Sequence, residues 1–366
     1  MTRVIGHIDL DYFYAQVEEV ENPSLKERPV IVCVFSGRTG DSGVVATANY
    51  RARAFGAHSG MPIIQAKKRL EGKDLAVIQM DHEKYEAVSS RIMESLEQMV
   101  DVLEPTGIDE AFFDITSSTG GDYSKARKKA EAIRASVFER ERLTCSIGIG
   151  RSKVVAKLGS DTAKPNGLAV VLPETTEAFL GPLPVDRLYG VGPKTSTALT
   201  EMGIATVAEL AGVAPSELER RFGRKFGGYL LAAASGTDAD PVVGGLEPTQ
   251  FSRIVTLKRD TRDPQEVFSQ LTPGIEQLHS KLISSSKLSK TVTAIGILTD
   301  LSTKTKSRTF EAPAADADVL SEAISELFQD LSRSVDKDFR RAGVRVSGLS
   351  GAEDQRSLSE FVDQVG

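Results

Sequence analysis

The pattern of the chain breaks twice, at Pro173 and across the Gly-, Pro- and Asp-rich residues 236–248, and these two breaks exclude a single continuous core. Before the first break, short apolar runs alternate with amphipathic stretches. Residues 4–10, 29–35, 43–48, 111–115 and 143–149 have the length and branched-residue content of strands. Residues 52–55, 62–70, 82–103 and 123–140 are expected as helices. The pattern is clearest in Tyr85, Val88, Ile92 and Leu96, followed by Met99 and Val100, which form one apolar stripe. Pro105-Thr106-Gly107 stops or turns the chain after that helix. This part reads as an α/β layer with a mixed or antiparallel sheet.

Between the breaks, short helices are separated by glycine hinges. Leu188-Tyr189-Gly190-Val191-Gly192-Pro193, a helix to Met202 and then Gly203-Ile204 have the form of a helix-hairpin-helix, whose glycines let backbone amides approach a phosphate at a helix start. Beyond the second break, strands at 252–257, 292–298, 307–310 and 343–346 enclose helices at 264–282 and 315–335, a separate small α+β domain. At 366 residues the chain is also too long for one ordinary core, so about two to four domains are expected.

Composition excludes several classes. Apolar content of 40% with 26% charge is that of an ordinary folded chain. The longest apolar runs are strand-sized, far below the roughly 20 residues of a membrane span. No basic segment followed by an apolar stretch opens the chain, so a cytoplasmic location is expected. Cys33 and Cys145 each lie inside an apolar strand-like run, the place for a buried thiol, and the 4 histidines are not spaced for zinc. The net charge of −6 speaks against a nucleic-acid partner on average. It conceals a gradient: residues 249–349 hold 15 Lys+Arg against 13 Asp+Glu, a balance of +2, which leaves −8 for the rest. Lys287, Lys290, Lys304, Lys306 and Arg308 face only Asp300 there, a pattern that a solvated surface explains equally well.

Asp9 and Asp11 leave the first strand two residues apart. Asp11 is placed to cap a helix starting at Tyr12, which leaves Asp9 projecting beyond the strand end. Asp109-Glu110 follows a turn and precedes another strand, in an apolar context of Ile108, Ala111, Phe112 and Phe113. Isolated acids at strand ends are usually caps or turn residues. An adjacent pair is costly to leave unpaired, and three carboxylates on neighbouring strand ends form a hard all-oxygen cage suited to Mg²⁺.

Four ordered motifs resemble the Y-family DNA polymerases, in particular the archaeal DinB-type enzymes also called DNA polymerase IV. They are Asp9-Leu-Asp-Tyr-Phe-Tyr-Ala-Gln-Val-Glu-Glu19, Ala46-Thr-Ala-Asn-Tyr-Arg-Ala-Arg53, Ile108-Asp-Glu-Ala111 and Ala163-Lys-Pro-Asn-Gly167. The resemblance implies an α+β multidomain right hand. Its palm would be 1–12 and 81–171, its fingers 13–80, and its thumb 172–238. A linker at 239–248, a DNA-binding little finger at 249–349 and a flexible tail at 350–366 would follow. It implies templated, low-fidelity synthesis past damaged bases with two Mg²⁺ ions, and the assigned segments leave no room for a proofreading exonuclease. Asp9 and Asp109 would hold both ions, Glu110 would complete the catalytic site, and the Leu10 carbonyl would also bind metal. Tyr12, Phe13, Tyr14, Thr47, Tyr50, Arg53 and Lys164 would hold the dNTP. Tyr14 would be the steric gate against a 2′-hydroxyl, although a core-facing helix residue explains Phe13 equally well.

Gly107 stands where many relatives carry serine, and Leu10 replaces a commonly larger residue; neither removes a metal ligand. Gln355, Leu358, Phe361 and Val362 resemble a sliding-clamp (PCNA) motif, with Val362 in place of the last aromatic. The implied partners are primer–template DNA, dNTPs and the clamp, with no membrane and a monomeric chain. The rival readings are a palm-fold nucleotide cyclase, a template-restricted transferase of the same family, and an inactive DNA-binding scaffold.

Overall fold

The computed structural model describes residues 1–245 and 247–351. It divides into two compact units, Met1–Val34 with Val44–Leu246, and Phe35–Gly43 with the chain from Glu247 onward. Eight strands precede the linker: β1 (Ile5–Leu10), β2 (Val30–Phe35), β3 (Gly43–Ala48), β4 (Ala76–Gln79), β5 (Val102–Pro105), β6 (Glu110–Asp114), β7 (Cys145–Gly150) and β8 (Leu168–Val170). Five form a mixed sheet in the order β5-β6-β1-β7-β8, antiparallel except for the β7–β8 pair, and three form a smaller sheet β3-β2-β4. β1 is central and every one of its residues is buried, which is why it reads as a continuous apolar run.

The helix Lys153–Ala163 lies unusually close to β7. A Cβ on Gly148 would meet the Ala156 carbonyl oxygen at 2.0 Å, and one on Gly159 would meet the Gly148 Cα at 3.1 Å. Two facing glycines therefore set how near this helix comes to the sheet. A third apolar cluster gathers Val155 and Leu158 of this helix with Leu180, Leu199, Leu210 and Leu230 of the short-helix region.

Several expectations are corrected. The helix begun at His82 ends at Glu97, and Val102–Pro105 is a strand. The apolar spacing does continue through Met99 and Val100, but β6 offers an open edge, and Val102 pairs there with Asp114. β4 and β8 carry too little pattern to have been read. The first half of the expected linker is packed: Val242 is buried with Ile5, Phe112 and Ala156, and the Val243 amide donates to Glu104.

The second unit is a four-stranded antiparallel sheet in the order β11-β10-β12-β9, made of β9 (Gln250–Thr261), β10 (Lys287–Leu298), β11 (Thr303–Ala314) and β12 (Phe339–Gly351). The helices Pro264–Ser284 and Ala317–Arg333 cover one face through Leu271, Leu278, Ile324 and Phe328. These strands are about two to three times the expected length, because much of each, and most of β11, is polar. Antiparallel partners share a face. Lys306 and Arg308 pair with Ala294 and Val292, so they fall on the helix side of the edge strand, where Arg308 meets Glu326. The opposite face carries Thr291, Thr293, Ser307, Thr309, Arg341 and Arg345. Arg38, from the loop grouped with this unit, donates to the Leu257 carbonyl at 2.6 Å and to Asp260 at 2.5 Å.

Candidate active site

The register at the end of β1 brings the acids together. Asp9 pairs with Glu110 across β1–β6, and cross-strand partners project side by side. Asp109 sits in the turn before β6, where its carbonyl accepts from the Leu10 amide at 2.8 Å. Asp9 is only 7% exposed, so the charges do not lie freely in water.

Two ammonium groups from one helix and the turn after it answer them. Lys157 Nζ lies 2.6 Å from Glu110 Oε2 and 3.5 Å from Asp9 Oδ2, and Lys164 Nζ lies 2.6 Å from Asp9 Oδ2. His7, two residues before Asp9 and so on the same strand face, is fully buried. Its Nδ1 is 2.8 Å from Ser160 Oγ, and burial lowers its pKa. His7 and Lys157 hold the Glu110 carboxyl down to about 2. The ammonium is the firmer contact, since His7 Nε2 stands 3.5 Å away and makes no hydrogen bond. Asp109 moves the other way. Burial, then the like charges of Asp9 and Glu110, push it up to about 6.

Among the described residues no three His, Cys, Asp or Glu side chains stand close enough together to hold a metal. Glu110 and Asp9 lie instead against Lys157 and Lys164. The donor set nevertheless fits a hard divalent cation: the candidate ligands are all oxygens, and Asp9 and Glu110 stand side by side across β1 and β6.

Asp11 is not the helix cap. Tyr12 occupies that position in a left-handed conformation (φ 36°), and no side chain caps the helix Phe13–Glu21. Asp11 is fully buried and accepts from Thr144 Oγ1, Ser146 Oγ and the Asn166 amide, each at 2.8 Å. The first amides of the helix are left without a capping side chain at the end nearest the acids, which is the arrangement that suits an anion.

The adjacent aromatics separate. Phe13 is 1% exposed in the core, whereas Tyr14 is half-buried, packs on the Tyr85 ring at 4.6 Å, and has its pKa raised by burial and by the Asp109 charge. Asn49 caps the short helix Tyr50–Arg53 and also donates to Glu19, which accepts from Tyr12. The Tyr12 and Tyr50 rings meet edge to face at 5.1 Å, and the Arg53 guanidinium lies 5.0 Å from the Tyr50 ring centre. Burial, then the charge of Asp11, raises the Tyr50 pKa. Thr47, 8% exposed, lies on β3.

The structure thus gathers Asp9, Asp109, Glu110, Tyr14, Tyr50 and Lys164 around the end of β1. Gln355, Leu358, Phe361 and Val362 lie outside the described residues. Sequence reasoning missed His7, Lys157, Glu19 and Asn49 as participants. Two signals were available: His7 alternates with Asp9 on a strand, and Lys153, Lys157 and Asp161 make a charged stripe at helical spacing, with Lys164 just beyond.

The chain is similar to known proteins over nearly its whole length. Residues 8–161 match the impB/mucB/samB family, residues 248–359 match that family's C-terminal domain, and residues 186–238 match the DNA polymerase-iota thumb domain. The chain is 40% identical over 362 residues to DNA polymerase IV of Nitrosopumilus maritimus, covering 98% of this chain and 99% of the relative. It is 41% identical over 367 residues to DNA polymerase IV of Methanosarcina acetivorans, covering 99% and 100%. Among solved structures, a Y-family chimera of the polymerases Dbh and Dpo4 superposes with a TM-score of 0.89 at 34% identity, covering 95% of this chain and 99% of that one. An insertion ternary complex of Dbh DNA polymerase gives 0.69 at 33%, with 95% and 99% covered.

Proposed function

The chain belongs to the Y-family DNA polymerases and is a DNA-directed DNA polymerase, and from that premise we propose that it performs translesion synthesis, adding dNTPs to a primer 3′-hydroxyl opposite damaged template bases with low fidelity and without proofreading. Its fold is the right hand of that family, with palm, fingers, thumb and little finger. We divide it as palm 1–12 and 81–171, fingers 13–80, thumb 172–238, linker 239–248 and little finger 249–349.

The observation that carries the reading is the register of Asp9 with Glu110, beside an Asp109 tied to the end of β1 by the bond from the Leu10 amide to its carbonyl. The family uses divalent metal, and we assign two Mg²⁺ ions to Asp9, Asp109, Glu110 and the Leu10 carbonyl. Bound there, the ions supply activation of the primer hydroxyl and neutralisation of the leaving pyrophosphate. The protein's own groups do the rest. Lys164 and Arg53 meet the triphosphate, the first as a point charge and the second as a fork. The uncapped amides at Phe13 and Tyr14 face the same anion, with Tyr12, Thr47 and Tyr50 around it. Tyr14 closes the sugar side against a 2′-hydroxyl. The helix-hairpin-helix glycines and the hydroxyl-rich sheet face with Arg341 and Arg345 hold primer–template DNA. We further propose a monomer in the cytoplasm that binds the sliding clamp (PCNA) through residues 355–362; no helix among the described residues is long and apolar enough to cross a membrane.

Primer extension with each dNTP supplied singly, with and without Mg²⁺, tests the reading. Addition should follow the template base. The double substitution Asp109→Ala, Glu110→Ala should leave a folded DNA binder that makes no product. Tight primer–template binding without any addition by the unaltered chain would favour a DNA-binding scaffold instead.

A further inference from the structure

We propose that Asp11 and Arg134 are positioning residues that aim Lys164 at the dNTP triphosphate by holding the Asn166 turn from its two sides; the inference rests on the reading of Lys164 given above. The turn follows the helix Lys153–Ala163 and is built so that little else fits. Asn166 adopts φ 48°, a left-handed conformation that asparagine tolerates better than most residues. A Cβ on Gly167 would meet the Ala163 carbonyl oxygen at 1.9 Å, so that position requires glycine.

From the inside, Asp11 Oδ2 accepts from the Asn166 amide and from Thr144 Oγ1 at 2.8 Å, while Oδ1 accepts from Ser146 Oγ. From the outside, Arg134 on the helix Tyr123–Glu141 donates to Asn166 Oδ1 at 2.6 Å and also to the Asn166 carbonyl. The amide, carbonyl and side chain of Asn166 are therefore all engaged, two residues from Lys164.

The arrangement is expensive as a packing device. Asp11 is 0% exposed and meets three neutral donors rather than a cation. Burying a carboxylate on those terms is unfavourable compared with an apolar residue of similar size. What it achieves is a fixed geometry. Asp11 lies two residues beyond Asp9, so the same chain end that carries a candidate metal ligand also anchors the turn that carries Lys164. Lysine has a flexible stem and no fork to orient itself, so the place of its ammonium is set by its backbone. With the turn held, Nζ lies 2.6 Å from Asp9 Oδ2. With the turn loosened, it would be spread over several rotamers and solvated.

Single-turnover nucleotide insertion tests this, reporting the dNTP Kd and the insertion rate separately. Lys164→Ala should raise the dNTP Kd on the order of tenfold, the worth of one charge-assisted contact. Asp11→Ala and Arg134→Ala should each raise it roughly threefold or more through the same contact, with primer–template affinity unchanged. Each combined with Lys164→Ala should be no worse than Lys164→Ala alone, because both act through the same ammonium. Asp11→Asn, which still offers an oxygen to the Asn166 amide, should recover most of the Asp11→Ala loss. Arg134 is half-buried at the rim of its helix, so Arg134→Ala keeps the test available if Asp11→Ala does not fold. Losses that multiply in the double variants, or an unchanged Kd in both single variants, overturn the proposal. An unchanged Kd in Lys164→Ala overturns the reading of Lys164, and the proposal with it.

Discussion

Replacing Asp109 by asparagine should make the protein more stable while ending synthesis. The two neighbouring acids are displaced in opposite directions, Asp109 from 3.8 to about 6 and Glu110 from 4.5 to about 2. Each gap corresponds to about 3 kcal/mol at ~1.4 kcal/mol per pH unit. Glu110 has a folded value below its unfolded one, so it contributes stability above pH 4.5 and loses it as the pH falls toward 2. Asp109 has a folded value above its unfolded one, so its ionised form is a burden. That burden is absent below pH 3.8, grows between about 4 and 6, and is complete above 6. Asp109 is partly open to water, and screening reduces the figure to about 1–2 kcal/mol. Asparagine keeps the shape and removes the charge. Urea unfolding in the presence of a chelator should therefore show Asp109→Asn about 1–2 kcal/mol more stable than the unaltered chain at pH 7.5, with the gain vanishing near pH 4. A variant of equal or lower stability at pH 7.5, or a gain that survives acidification, would refute the assignment of strain to that carboxylate.

Tyr14→Ala should admit ribonucleotides, read as the ratio of rNTP to dNTP insertion; unchanged sugar selectivity would remove Tyr14 from the gate. Truncation after Ala352 should abolish clamp binding and leave basal primer extension intact, which a binding assay beside an extension assay resolves. Gly148→Ala should cost about 3 kcal/mol or more in urea unfolding, because its Cβ would meet backbone atoms of Ala156 and Ser160 at 2.0 and 2.3 Å and neither can swing aside. A thiol reagent at pH 8 should leave the native protein unlabelled, since Cys33 and Cys145 are buried and burial pushes Cys145 up to about 12; labelling before unfolding would contradict that packing.

The role of the acids was implied only by the resemblance of the four motifs; their places were legible because they sit at strand ends, where a local run of residues declares both the strand and its termination. Asp11 was misread for the same reason. Capping is a local inference, whereas its true donors, Thr144, Ser146 and Asn166, lie 133, 135 and 155 residues away and reach it only through the β1–β7 pairing. The helix from His82 was overextended because apolar spacing cannot register that β6 needs an edge partner. In the second unit, β11 alternates lysine with threonine, so both faces are polar and no hydrophobic period marks the strand. The same alternation separates cations from hydroxyls, and that is why a basic run in the sequence does not coincide with the open face of the sheet.

The neighbouring acids on β1 and β6 explain why the helix after β7 and the turn beyond it present two lysines to them rather than one. Directly opposed like charges destabilise a strand pair, so some cation must remain with Asp9 and Glu110 throughout a reaction cycle. Lys157 is the more enclosed, 17% exposed, and touches both acids, so withdrawing it would strand two charges at once. Lys164 is 30% exposed, contacts Asp9 alone among the three acids, and stands on a turn beyond the helix end. On the proposed reading it is the one that can exchange a carboxylate for a triphosphate, because Asp9 still has Lys157 at 3.5 Å when Lys164 departs. The division of labour follows from position: the lysine inside the helix stabilises the cluster, and the one on the anchored turn is available to substrate.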